Sequence, residues 1–153
     1  MQPTSRVVAV RCGRDSYVGI PQAAIQEALD LTGLEISAFP GMPACCAGVM
    51  NLRGRFLWGL DLAQWLETLG IECLPLAQAR LEGLLLTAGR RCLVALHGGR
   101  EAGLAYNPAA LEPPGRLAPL FAGTLAWAGR PLPVLDVEAL FAHLPRLTGG
   151  PLP

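Results

Sequence analysis

The chain has 153 residues, 52% hydrophobic and 16% charged. That length fits about one domain, and the apolar content excludes a disordered tail protein. Twelve basic residues, all arginine, balance twelve acids to zero net charge, which argues against non-specific nucleic-acid binding and against a polybasic membrane anchor. Gly and Pro fall every few residues, favouring many short elements over long helices. Val7–Cys12 reads as a strand, Gly13–Ser16 as a turn and Tyr17–Ile20 as a second strand. Pro21–Leu31 fits two patterns: Ala24, Ile25, Ala28 and Leu29 have helical spacing, while Ile25, Leu29 and Leu31 partly alternate. Phe39–Pro43 predicts an irregular connection, because each Pro biases its predecessor to extended backbone. Asp61 caps a short helix carrying Leu62, Trp65, Leu66 and Leu69, which Gly70 stops. Leu84–Leu96 predicts a hairpin with Gly89-Arg90 at its turn, and Asn107–Pro119 a Pro-rich loop. Asp136 caps a second helix carrying Val137, Leu140, Phe141 and Leu144, with Pro145 as its end. Both aspartates are read as caps, not catalytic acids. Gly149–Pro153 reads as a loose tail.

The low charge points to surfaces that meet other proteins. No apolar run approaches the roughly 18–20 residues of a membrane span. The start, Met1 to Arg6, lacks a basic segment followed by an apolar one, so no signal peptide is expected and the protein is expected in the cytoplasm. Cys12, Cys45, Cys46, Cys73 and Cys92 are odd in number and form no C-x-x-C pair. They are expected to be reduced thiols used as small hydrophobes.

A weak repeat offset by 75 positions is the most informative feature. Ala47 to Leu62 lies over Ala122 to Val137, and Ala-Gly, Gly-Arg, one Leu and Leu-Asp recur at the same spacing. Each copy predicts a strand, a Gly-Arg turn, a second strand and an Asp-capped helix. The period exceeds the roughly 20–50 residues of solenoids, so a duplicated half-domain is expected, and two small β-barrels would fit. Asn51 and Arg53 lie where the second copy has Ala126 and Ala128. The hairpin therefore does not require an amide or a guanidinium there. Asn51 could satisfy a local turn and Arg53 could be merely solvated, or both could face a partner, a role that suits the planar fork of Arg.

Gly48-Val-Met-Asn-Leu-Arg-Gly-Arg-Phe-Leu-Trp-Gly-Leu-Asp-Leu62 resembles the signature of CheW-type coupling proteins, G-V-[IV]-N-L-R-G-x-[IV]-x-P-[IV]-x-D-[LM]. Gly19 to Ala28 resembles the family's upstream Val-x-Glu-[IV] strand, which favours a strand after Ile25. Phe39–Pro43 fits the short loop before the signature, and Gly129 to Leu140 the closing strand and helix. The resemblance implies a mainly β fold of two small five-stranded SH3-like barrel subdomains with short helices. It implies one such unit over residues 6–145, with tails at 1–5 and 146–153. It also implies a non-enzymatic adaptor, without cofactor or metal, linking the cytoplasmic tips of methyl-accepting chemoreceptors to a CheA-type histidine kinase in a flagellar or type IV pilus array. Such a protein is recruited to membrane receptor arrays without inserting into the membrane. Carried over by position, Asn51, Arg53 and Gly54 fall on signature residues and Glu27 on the Glu of the upstream strand. Ile25, Val49, Leu52 and Phe56 become candidates for an apolar receptor groove. Trp58 stands where the family usually has Pro and joins the candidate partner-binding residues.

The second half departs further. The family's second hairpin ends Gly-Leu-x-Val-Asp. If Leu84–Leu96 is that hairpin, His97 replaces the Asp; alternatively Gly103 to Asn107 matches, with Tyr106-Asn107 replacing Val-Asp. The first threading is preferred here. The divergence leaves room for an accessory module that keeps the fold and binds another cytoplasmic partner. Catalysis is not expected: only His97 and His143 could serve as the usual base, and no G-x-S-x-G, P-loop or metal spacing is present. Cys92 and His97 would lie on opposite faces of one strand.

Overall fold

The computed structural model describes residues 5–73 and 82–148. Frequent Gly and Pro divide them into short strands: β1 (Ser5–Arg11), β2 (Tyr17–Pro21), β3 (Ile25–Asp30), β4 (Ile36–Ser37), β5 (Cys46–Leu52) and β6 (Arg55–Asp61) precede helix α1 (Leu62–Thr68). After it come β7 (Glu82–Ala88), β8 (Arg91–His97), β9 (Arg100–Tyr106), β10 (Phe121–Trp127), β11 (Arg130–Leu135) and helix α2 (Val137–Thr148). The strands form two sheets, ordered β10-β11-β2-β1-β9 and β3-β7-β8-β6-β5-β4. The fold is thus mainly β with two sheets, as two β subdomains require. One sheet has the expected five strands; the other gains the two-residue β4.

The 75-residue repeat is written into the strand pairing. Ser37↔Val49 recurs as Glu112↔Thr124. Leu52↔Arg55 recurs as Trp127↔Arg130. The parallel pair Gly59↔Val94 recurs reciprocally as Val134↔Gly19, each position shifted by the repeat. Both copies shift register at the same place, Cys46/Gly48 and Phe121/Gly123. The copies are also exchanged. The five-stranded sheet takes β1 and β2 from the first copy and β9, β10 and β11 from the second; the six-stranded sheet takes β7 and β8 from the second and β3 to β6 from the first. The recurring Ala-Gly now has a cause. A Cβ on Gly48 would lie 2.3 Å from the Ser37 carbonyl oxygen, and one on Gly123 would lie 2.5 Å from that of Glu112.

The larger core cluster joins both sheets and both helices, with Trp65 and Leu66 of α1 and Leu140, Phe141 and Leu144 of α2 buried in it. Trp65 stacks on Phe121 at 5.9 Å. A second cluster, Leu31, Met50, Leu57, Leu85 and Val94, belongs to the six-stranded sheet. The run Leu84-Leu85-Leu86 serves both, because alternate residues reach opposite faces.

Helix ends follow local chemistry. Asp61 Oδ1 accepts from the Gln64 N–H at 3.2 Å, and Asp136 Oδ1 from the Ala139 N–H at 3.0 Å. Gly70 (φ 81°) ends α1 with the paired bonds Gly70 N–H to Glu67 O and Ile71 N–H to Leu66 O, a Schellman motif. The expected stop at Pro145 is corrected: α2 runs on to Thr148. Pro145 has no N–H to give the Phe141 carbonyl. Arg91 supplies one instead, Nη1 to Phe141 O at 3.4 Å, with its guanidinium 5.3 Å from the Phe141 ring. Residues 146–148, expected in a tail, therefore continue the helix, and Ser5, expected in the other tail, opens β1; residues 1–4 and 149–153 of the expected tails lie outside the described residues. The ambiguous Pro21–Leu31 resolves into a 3-10 turn, Gln22–Ala24, and then β3.

Candidate functional site

The β5–β6 hairpin closes on a two-residue turn, Arg53-Gly54, with φ of 51° and 86°. Positive φ at both positions is the I′ geometry that matches strand twist. Asn51 Oδ1 accepts the Gly54 N–H at 2.9 Å, so this side chain satisfies the turn locally. Its counterpart turn, Ala128-Gly129, has φ of 51° and 76°. The left-handed conformation at Arg53 therefore belongs to the duplicated hairpin and is not strain special to one site.

Arg53 projects from this turn with its side chain 66% exposed and donates to Glu27 on β3, forming an ion pair. The hydrogen bond and charge of Arg53 hold the Glu27 carboxyl below its ordinary range. β3 ends one side of the six-stranded sheet, while β5 lies next to the other end. The pair thus ties the two ends of the sheet together across an open surface. In water such a contact stabilises little; it fixes two side chains in place.

Val49 lies opposite Trp58, and Asn51 opposite Phe56. Cross-strand partners share a face, so these four side chains form the outer face of the hairpin. Phe56 is 76% exposed. Trp58 is half-buried and packs against Phe39 at 5.4 Å, which is itself 52% exposed. Alternation turns Leu52 to the opposite face, with Met50 and Leu57, where it packs on the second core cluster. Ile25 packs on the first. The expected grouping of Ile25 and Leu52 with Val49 and Phe56 is corrected accordingly. Phe39 joins the exposed face, although its loop sequence signalled only an irregular connection.

Of the groups able to act as a base, His97 and His143 each bury an Nε2 that has no hydrogen-bond partner among the described residues. His97 Nδ1 accepts the Gly99 N–H at 2.9 Å, and burial lowers the imidazole pKa. His143 sits edge-on to Trp65 at 6.5 Å. All five cysteines are free, and burial pushes the Cys45 thiol up to about 11, which keeps it protonated and weakly nucleophilic. Cys92 Sγ accepts from Arg55 at 3.0 Å. At the other threading position, Asn107 Oδ1 accepts the Ala109 N–H at 3.0 Å at the end of β9, the capping bond an Asp would make. Among the described residues no three His, Cys, Asp or Glu side chains form a group able to hold a metal. Nor is any described helix long and apolar enough to cross a membrane.

Comparison with known proteins agrees with this architecture. The family model for the CheW-like domain matches residues 6–144. The fold is similar to the crystal structure of the scaffolding protein TtCheW from Thermoanaerobacter tengcongensis, with a TM-score of 0.72 and 14% identity over 91% of this chain and 93% of that one. A search of curated proteins finds no sequence match.

Proposed function

The chain belongs to the CheW-like domain family, and from that premise we propose that it is a non-enzymatic adaptor linking chemoreceptor signalling tips to a CheA-type histidine kinase. On this reading it is one CheW-like unit, residues 6–145, held in the cytoplasm and recruited to membrane receptor arrays. The observation that carries it is the family match across nearly the whole chain. Arg53 and Glu27 supply the site: they meet in the open at the family's signature turn. A receptor helix packed against this end would meet the apolar face of Val49, Phe56 and Trp58, and the ion pair would set its register. Arg53 offers a planar fork for a partner carboxylate, Asn51 and Gly54 hold the turn that aims it, and Glu27 holds the guanidinium in position. The protein would transmit state through fixed contacts, and the kinase would supply the chemistry.

The test is co-sedimentation of the purified protein with receptor signalling-tip fragments and a CheA-type kinase from the same cell, wild type against Arg53→Ala. Wild type should enter the complex, and the variant should do so weakly while melting as a folded protein. Entry of neither partner would favour the second reading, an accessory CheW-like module for another cytoplasmic protein. The Phe39–Trp58 pair favours that reading, since Trp58 stands where the family signature has Pro and packs there on the exposed Phe39 ring.

A further inference from the structure

The described strands cross between the two sheets at two places, which the repeat makes equivalent. β2 leads into β3 through Gln22, Ala23 and Ala24; 75 positions on, β8 leads into β9 through His97, Gly98 and Gly99. The first crossover is closed by backbone, with the Ile25 N–H donating to the Gln22 carbonyl in a 3-10 turn. The second is closed by a side chain: the Gly99 N–H donates to His97 Nδ1 at 2.9 Å. Glycine has more backbone freedom than any other residue, and Gly99 sits at φ 143°, so the imidazole supplies a restraint that the two glycines lack. In that arrangement the Gly98 N–H donates to the Arg11 carbonyl at 2.7 Å, and the Gly99 carbonyl accepts the Arg11 N–H at 2.8 Å. These bonds seat the crossover from the six-stranded sheet on β1 of the five-stranded one.

We propose that His97 is a pH-sensitive latch on this crossover: its neutral ring holds the Gly99 amide, and protonation releases that amide and loosens the seat on β1. An Nδ1 that accepts leaves the single proton of the neutral ring on Nε2. That Nε2 is buried with no hydrogen-bond partner among the described residues, and His97 as a whole is 7% exposed. A second proton has to go on Nδ1, where it faces the Gly99 N–H, donor against donor. The charged groups around the ring set the balance. Glu82 on β7, directly opposite His97, favours the cation, and Arg100 at the start of β9 opposes it. Asp61 on β6, opposite the neighbouring Leu96, is engaged in the α1 cap. On β1, Arg11 pairs with Glu101 at 3.1 Å. Burial is the largest influence, and it outweighs Glu82 and the Gly99 backbone to hold the imidazole below its ordinary pKa. For a depressed group the stabilising contribution is complete above the unfolded value and is lost as pH falls through the folded one. The closing bond of the first crossover contains no titrating group, so one of the two links responds to pH and the other does not. The latch belongs to the fold and does not depend on which partner the protein serves.

The experiment is amide hydrogen exchange of the full chain, followed by NMR from about pH 7.5 to about pH 5 and corrected for intrinsic exchange rates, with the His97 ring titrated alongside. His143→Gln removes the only other histidine, so the imidazole titration that remains in that variant is that of His97. Protection of Gly99 should fall about tenfold in step with the ring titration, the Gly98 and Arg11 amides should follow, and Ile25 should hold. His97→Asn should keep Gly99 protected throughout, because an Asn carbonyl accepts the N–H two residues on, as Asn107 does from Ala109, and does not titrate. Gly99 protection that stays flat while the ring titrates overturns the proposal, as does a ring that remains neutral down to the lowest pH. An equal fall at Ile25, or a fall at Gly99 in His97→Asn, overturns it too, since either would mean a loosening that the imidazole does not control. Should His97→Asn fail to fold, the wild-type contrast between Gly99 and Ile25 decides by itself.

Discussion

Arg53 and Glu27 carry different weights in stability and in recognition. Both are open to water, so their attraction is screened, and their value lies in presenting a defined pair of charges. The pH dependence follows from the lowered Glu27 pKa. A carboxyl whose folded pKa is depressed stabilises the fold above its unfolded value, and that contribution disappears as pH falls through the folded value. Melting temperatures measured from pH 6 down to pH 3 should therefore fall more steeply for wild type than for Arg53→Ala. Parallel curves would mean that the pair does not persist in solution. Asn51 shows how a signature residue can have a structural duty: its carbonyl closes the turn from which Arg53 projects. Ala126 shows that the same turn forms without that bond, so Asn51 refines a geometry that the two positive-φ residues already define.

The helices and hairpins repeat one device: strand, two-residue turn, strand, capping Asp, helix. Each cap satisfies a backbone N–H that the first helical turn leaves without a partner. Asp61→Ala and Asp136→Ala should each lower stability by about 1 kcal/mol, measured by urea unfolding; a change within error at both would show that the helices are held by packing alone. Gly48 sits at the register shift of β5 with φ 132°, and the Ser37 carbonyl oxygen lies 2.3 Å from where a Cβ would stand. Gly48→Ala should cost more than either cap, because the clash is with backbone and the φ disfavours any side chain. The contrast is Gly129→Ala: its φ of 76° is also positive, but an added Cβ meets nothing within 4 Å, so that variant carries only the conformational term. A Gly48→Ala loss no larger than that of Gly129→Ala would refute the steric account. The helix ends illustrate the same logic in reverse. Pro145 is a local stop signal, and Arg91, the first residue of β8, overrides it by donating to the carbonyl that Pro leaves open.

Across the whole molecule, the exchange of strands makes neither copy a unit by itself. Every sheet needs strands from both copies, and the main core draws on α1 and α2 together. A single cut at a protease site engineered between residues 73 and 82 should therefore leave both pieces in one particle, eluting with the intact protein on gel filtration and separating only in denaturant. Separation under native conditions would contradict the exchanged architecture. The sequence by itself determined what is local. Capping Asp residues, helical spacing, Gly-containing turns and the recurring Ala-Gly and Leu-Asp were legible because each acts within a few residues of itself, and the signature from Gly48 to Leu62 carried the family. Only the tertiary structure decided what depends on partners distant in the chain. It pairs Glu27 with Arg53 across the sheet, turns Leu52 into the core while leaving Phe56 outside, brings Phe39 onto Trp58, and carries α2 past Pro145. It also swaps β1 and β2 for β7 and β8 between the copies. Strand pairing and burial are fixed by long-range contacts, and a local pattern records which residues alternate without recording what they will face.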